Sequence, residues 1–213
     1  MTTASSTTRT AMTDRTRFRE ALREQRWDDH RLYHHSRTNQ SLHLFSAFCF
    51  LTSYGLVAFD TTRAVWIGWL LAWISRQIGH FFFEPKGYDA FNGMSHREKE
   101  AVKIGYNLTR KIGLFTVFLA APVLLWLSPS LFGLMRPYTE TGSFLSHLSL
   151  LWFGVGIGAL LFRTVQLFFI RDLQTGVVWF TKILTDPFND VRTYWKAPYY
   201  LFVRGERIDP ELG

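Results

Sequence analysis

Cysteine is nearly absent from this chain of 213 residues, and Cys49 is the only one. An intrachain disulfide, a cysteine-based zinc knuckle and an iron–sulfur cluster are therefore excluded. No Gly-Xaa-Ser-Xaa-Gly elbow, Walker loop or paired-carboxylate signature occurs, which removes the chemistry each supports. The N-terminus is polar for roughly forty residues, so no cleavable signal peptide is expected. Acidic residues are in the minority: 17 Asp and Glu against 24 Lys and Arg leave a formal net charge of +7. That excess flanks hydrophobic runs and builds no separate basic domain. An anionic lipid surface is thus the expected partner, and nucleic acid is not.

Apolar residues, by contrast, are plentiful. They make up 47% of the chain, aromatics 17%, with 20 Phe and 8 Trp. Mean hydropathy is nevertheless only +0.01, because these residues gather in blocks between basic segments. The block pattern predicts an all-α protein: a polytopic membrane bundle of about four transmembrane helices with interfacial amphipathic helices. Three segments follow from it: an N-terminal segment over 1–26, a membrane-embedded domain over 27–184 and an interfacial tail over 185–213. Within the first, the Ser/Thr-rich stretch Met1 to Thr13 is expected to be disordered, and Asp14 to Trp27 to form a basic amphipathic helix on the membrane surface.

The expected spans are Leu44 to Phe59, Val65 to Phe83, Ile112 to Leu134 (bent at Pro122) and Phe144 to Phe162. Gly154, Gly156 and Gly158 in the fourth suggest close helix contact, and Arg163 at its end suggests snorkelling. Val165 to Leu184 either continues that helix or lies along the interface, with Asp186-Pro187 ending it. Asp186, Asn189 and Asp190 read as a capped turn that could border a site. Asn107-Leu108-Thr109 reads as an accidental glycosylation sequon. Eight Arg precede the first span, six Lys or Arg lie between spans two and three, and six follow residue 170. The other two loops carry one each, Arg63 and Arg136. Positive-inside bias then places both termini in the cytoplasm.

That topology puts six of the seven histidines at one membrane face, with only His147 opposite. Imidazole suits iron and zinc, and two histidines with a carboxylate leave positions open for oxygen chemistry at Fe(II). His80 and Glu84 share one helix face at the end of span two. Glu84 could be a ligand, a partner holding His80, or an ordinary interfacial acid. His35, Asn39 and His43 are spaced to form one stripe on a continuous helix. On such a helix His34 and His43 point to opposite sides, so using both requires a bend. Asn39 reads better as a cap or a hydrogen-bonding support than as a ligand.

Two motifs resemble those of the small integral-membrane iron dioxygenases that act on 2-hydroxy fatty acids, such as 2-hydroxypalmitic acid. Tyr33-His34-His35, with Asn39 and His43 following, is similar to that family's entry to its first span. Gly79-His80-Phe81-Phe82-Phe83-Glu84, after Trp73-Ile74, is similar to its exit from a later span. The likeness covers roughly Trp27 to Asn92. It departs from the family pattern at Arg37, at Arg76 and after Glu84. The resemblance implies Fe(II) held by His34, His43 and His80, with His35 and Glu84 close by. It favours His34 as ligand where helical spacing favours His35.

The activity implied is α-oxidation with molecular oxygen, releasing CO2 and a fatty acid one carbon shorter. Arg76, Arg37 or Lys86 would neutralise the substrate carboxylate. The expected location is a bacterial inner membrane, or the endoplasmic reticulum in a eukaryote. The rival readings are another metal-dependent lipid enzyme, a hydroxylase or cyclase, on the same scaffold, and a non-catalytic membrane protein.

Overall fold

The structure is a computed structural model that describes residues 3–84 and 86–211, with side-chain surroundings from residue 16. The outermost residues of the two expected terminal segments, 1–2 and 212–213, lie outside that range. All elements named among the described residues are helical, apart from two isolated bridges, Ser36–Ile208 and Asp89–Met94. The protein is all-α.

Helix α1 (Thr3–Tyr33) takes in the basic segment and starts ahead of it, where composition suggested disorder. Helix growth is cooperative, so a good helix-forming run extends into neutral flanking residues. α1 does not lie free: Arg26 donates to the Thr185 hydroxyl at 2.7 Å and pairs with Asp186 at 3.7 Å. α1 ends at Tyr33, and the chain turns through His34, His35 and Ser36 before α2 (Arg37–Leu56) begins. The corner is clamped by the C-terminal tail. Asp209 accepts from Arg37 and from Gln40, each at 2.8 Å, while its own N–H donates to the His35 carbonyl.

The run over 61–83 mixes helix types. α3 (Thr61–Trp66), opened by the Asp60 side chain, passes into a π-turn, π1 (Ile67–Trp73), then α4 (Ile74–Ile78) and a second π-turn, π2 (Gly79–Phe83). π-turns are rare and gather at functional sites. After Glu84 a loop leads to α5 (His96–Val102), which starts with a Ser95–Glu98 capping box. Asn107, the sequon residue, accepts from the Arg110 N–H as the cap of α6 (Leu108–Leu127).

α6 stops seven residues before the expected end of span three, at Leu134. The next residue, Ser128, precedes a proline, which disfavours helical backbone. α7 (Thr141–Ile170) outruns the expected span four and breaks at Arg171-Asp172. There the Asp172 side chain caps α8 (Leu173–Tyr194). α8 neither continues α7 nor ends at Asp186-Pro187. It runs through the proline, held from outside on both sides of it: Arg26 of α1 donates to Thr185 at 2.7 Å, and His34 meets Tyr194 at 2.8 Å. A short α9 (Ala197–Phe202) closes the chain.

α6 and α7 are long and apolar enough to cross a membrane. α2 and the 61–83 run fall outside that description. α2 opens with polar Arg37, Asn39, Gln40, Ser41 and His43, and the run is divided into short α and π pieces. The apolar core lies between that run, α6 and α7, where Phe118 stacks on Trp69 (4.7 Å between ring centroids) and on Trp152 (4.4 Å). The indole N–H of Trp69 donates to the Trp152 carbonyl at 2.9 Å and that of Trp152 to the Phe118 carbonyl at 3.1 Å. Buried indoles thereby keep their hydrogen bonds.

Two expectations about α7 change. Of the three glycines expected to make close helix contact only Gly156 does, because a Cβ there would lie 3.1 Å from the Trp69 ring, whereas Gly154 and Gly158 face open space. Arg163 does not snorkel. It is buried, and its Nε donates to the Ile104 carbonyl at 3.0 Å, fastening the loop before α6.

Candidate metal centre

The break after Tyr33 settles how His34 and His43 meet. His34 stands in the corner and His43 lies in the second turn of α2, so the chain folds one ring onto the other, with centroids 4.1 Å apart. π2 brings His80 alongside, 5.4 Å from His34 and 5.0 Å from His43. One nitrogen from each of the three rings lies within 4.8 Å of the others.

Close approach of π2 to α2 depends on Gly79. A Cβ there would fall 2.1 Å from the Asn39 Oδ1 and 3.7 Å from the His43 ring. Asn39 cannot easily move away: it is fully buried and donates to the Tyr33 carbonyl at 2.8 Å. Gly79→Ala is therefore expected to weaken metal binding about 10–100-fold, the scale seen when a support behind a ligand is disturbed. Gly158→Ala, with open space around it, is the control and should leave the affinity unchanged. Isothermal titration with Zn(II) or Co(II) reads both.

Behind each ring stands a supporting group. Glu84 Oε2 faces the His80 Nδ1 at 2.8 Å. Tyr194 Oη faces the His34 Nδ1 at 2.8 Å, and the His30 Nδ1 at 3.1 Å. Asp190 Oδ2 faces the His43 Nδ1 at 3.5 Å, at the outer edge of hydrogen-bonding distance. With Nδ1 carrying the proton, each neutral imidazole turns its Nε2 lone pair away from its support. The Nε2 atoms of His34 and His43 are buried with no hydrogen-bond partner. Buried polar atoms are rarely left so, and a shared cation would satisfy them. The residues present thus fit a divalent metal held by three imidazoles, with positions left for other ligands.

Electrostatics favour the same state. Burial holds His34 well below the ordinary histidine range, so its ring is neutral at pH 7. Burial, reinforced by the Asp190 charge, pushes the Tyr194 phenol well above its usual value and keeps it protonated. For Asp190 burial acts upward, but the adjacent Arg76 guanidinium and the His43 ring override it and hold the carboxyl below its ordinary value. Burial raises Glu84 against the opposing charge of Lys103.

The other expected site residues are placed as follows. His35 turns away from the cluster, with its Nε2 2.5 Å from the Arg31 carbonyl and 3.4 Å from Asp89. Helical spacing pointed to His35 only on the assumption of a continuous helix. Asn39 touches Gly79 and Tyr33, and acts by positioning. Arg76 is ion-paired with Asp190, and Arg37 is spent on Asp209 and on the Tyr200 ring. Lys86 is exposed.

The cluster opens into a cavity of about 670 Å³. His34, His43 and His80 line one part of it, and Trp69, Trp73 and Phe153 line another. Tyr54, Val57 and Leu184 also border it and are each more than a third exposed, so the cavity reaches the surface between α2 and α8. Its size falls in the range of about 300–1,000 Å³ usual for small-molecule sites.

Compared with protein-family models, with curated proteins and with solved structures, the chain matches none.

Proposed function

We propose that the protein is a membrane-embedded Fe(II)-dependent dioxygenase of 2-hydroxy long-chain fatty acids, crossing the bilayer by α2, the 61–83 run, α6 and α7. The observation that carries the reading is the triad of His34, His43 and His80, two of them buried and the third half-buried, each backed at Nδ1 and opening on an amphipathic cavity. Membrane insertion is supported by the outward apolar faces of α6 and α7, where Trp126 is 69% exposed and Phe162 65%. Exposed apolar surface of that extent marks contact with lipid or a partner. Dioxygenase chemistry rests on the resemblance of the two histidine motifs.

In this reading His34, His43 and His80 hold the ion, while Tyr194, Asp190 and Glu84 fix their rings and tautomers. A bound ferrous ion would supply oxygen activation beside the substrate. Trp69, Trp73 and Phe153 exclude water from the acyl chain. The overall change balances: a 2-hydroxy acid and O2 give CO2, water and an acid one carbon shorter. Iron-loaded protein in lipid nanodiscs, given 2-hydroxypalmitate under oxygen, should release pentadecanoate and CO2 in equal amounts by mass spectrometry. A product of unchanged chain length with one added oxygen would replace this reading with a hydroxylase. An iron-loaded protein inert toward 2-hydroxy acids would remove the substrate class.

A further inference from the structure

Six cationic side chains border the cavity, and five of them are already paired. Arg26 meets Asp186 at 3.7 Å and Arg31 meets Asp28 at 2.7 Å. Arg76 is paired with Asp190, and Lys182 with Asp29 and with Asp186 at 2.8 Å. Lys103 lies 3.0 Å from Glu100 and 3.7 Å from Glu84. Lys111 alone among these forms no ion pair within 4.0 Å in the described residues. It sits in the first turn of α6, where the helix dipole also favours an anion.

We infer that Lys111 is the counter-ion for the head group of an amphiphilic monoanion, a carboxylate, whose apolar tail lies along the Trp69, Trp73 and Phe153 wall. This rests on reading the cavity as the substrate site. It moves the anion contact away from Arg76, Arg37 and Lys86. Among the described residues Lys111 is the one bordering cation outside ion-pair distance of a carboxylate, so a single negative charge is the most it can meet directly. A dianionic phosphate would leave a second charge facing Glu84 and Glu100, so a monoanion is preferred. The apolar wall requires a tail: a short soluble carboxylate would leave the indoles wet.

The test uses the full chain in nanodiscs of neutral phosphatidylcholine, with radiolabelled palmitate and hexadecanol as probes and bound iron measured on the same samples. Wild type should bind palmitate more tightly than hexadecanol or, as a third probe of equal chain length, hexadecyl phosphate. Lys111→Met should weaken palmitate about 10–100-fold, as expected for loss of a charge-assisted contact, and change hexadecanol less than about threefold. Lys111→Arg should restore palmitate to within about threefold of wild type, since the charge is kept. Unchanged palmitate binding in Lys111→Met would overturn the inference, as would equal loss of both probes, which marks a packing residue. So would a wild type that prefers the phosphate or the alcohol. Wild type that selects palmitate through Lys111 yet holds no iron would sink the dioxygenase reading alone. Iron and turnover with a silent Lys111→Met would sink this inference alone.

Discussion

His43→Ala is expected to abolish metal retention while leaving the protein folded. The His43 ring is buried, its Nε2 has no partner, and its Nδ1 has only the long Asp190 contact. Its nearest polar contact, Asp190 at 3.5 Å, keeps Arg76 as counter-ion when the ring is gone. Little of the fold therefore hangs on the ring, whereas one of three ligands disappears. The loss of affinity should exceed the roughly 10–100-fold typical of a supporting residue. His35→Ala is the matched comparison. It removes contacts to Arg31 and Asp89 and nothing at the cluster, so metal binding should persist. Circular dichroism checks the fold, and metal content after gel filtration checks the site. A His43→Ala protein that keeps its metal, or a His35→Ala protein that loses it as fully, would contradict the assignment.

The second large effect is expected at Asp190. This carboxylate is buried between Arg76 and His43. Asp190→Ala leaves the half-buried guanidinium without its partner, where breaking a fully buried pair costs about 3–5 kcal/mol. The same change frees the His43 ring, so metal affinity should fall along with thermal stability. Replacing both partners separates the two effects. Asp190→Leu with Arg76→Met removes the charge imbalance and should recover much of the lost stability. The double variant should still bind metal more weakly than wild type, because His43 remains unsupported. If it were less stable than Asp190→Ala, the single variant's defect would not come from a stranded charge.

The clustering histidines of this candidate site were legible in sequence, and the groups behind them were not. Tyr33-His34-His35, His43 and Gly79-His80 are short local patterns, and they mark the two chain segments that meet. The choice between His34 and His35 needed the corner after Tyr33, which no periodicity shows. Lys182, Asp186, Asp190 and Tyr194 form a four-residue stripe, buried in full along α8. That spacing was a usable signal. It was obscured by taking Pro187 as a helix end, when tertiary anchors on either side carry α8 past the proline. Tyr194 lies 160 residues from His34 in the chain, and partners so distant leave no local trace. The π-turns at Ile67–Trp73 and Gly79–Phe83 are likewise silent in composition. Among the described residues only α6 and α7 have the length and apolarity of membrane helices. The opening of α2 holds polar residues of the candidate site, Asn39, Gln40 and His43, which lowers its apolarity.

The account depends above all on three imidazoles sharing one ion. Its most direct measurement is elemental analysis of the wild-type protein, purified from membranes and reconstituted anaerobically with Fe(II). About one iron per chain, bound through neutral imidazoles, is the expected result. Protein that remains metal-free after exposure to Fe(II), Zn(II) and Co(II) in turn would contradict it.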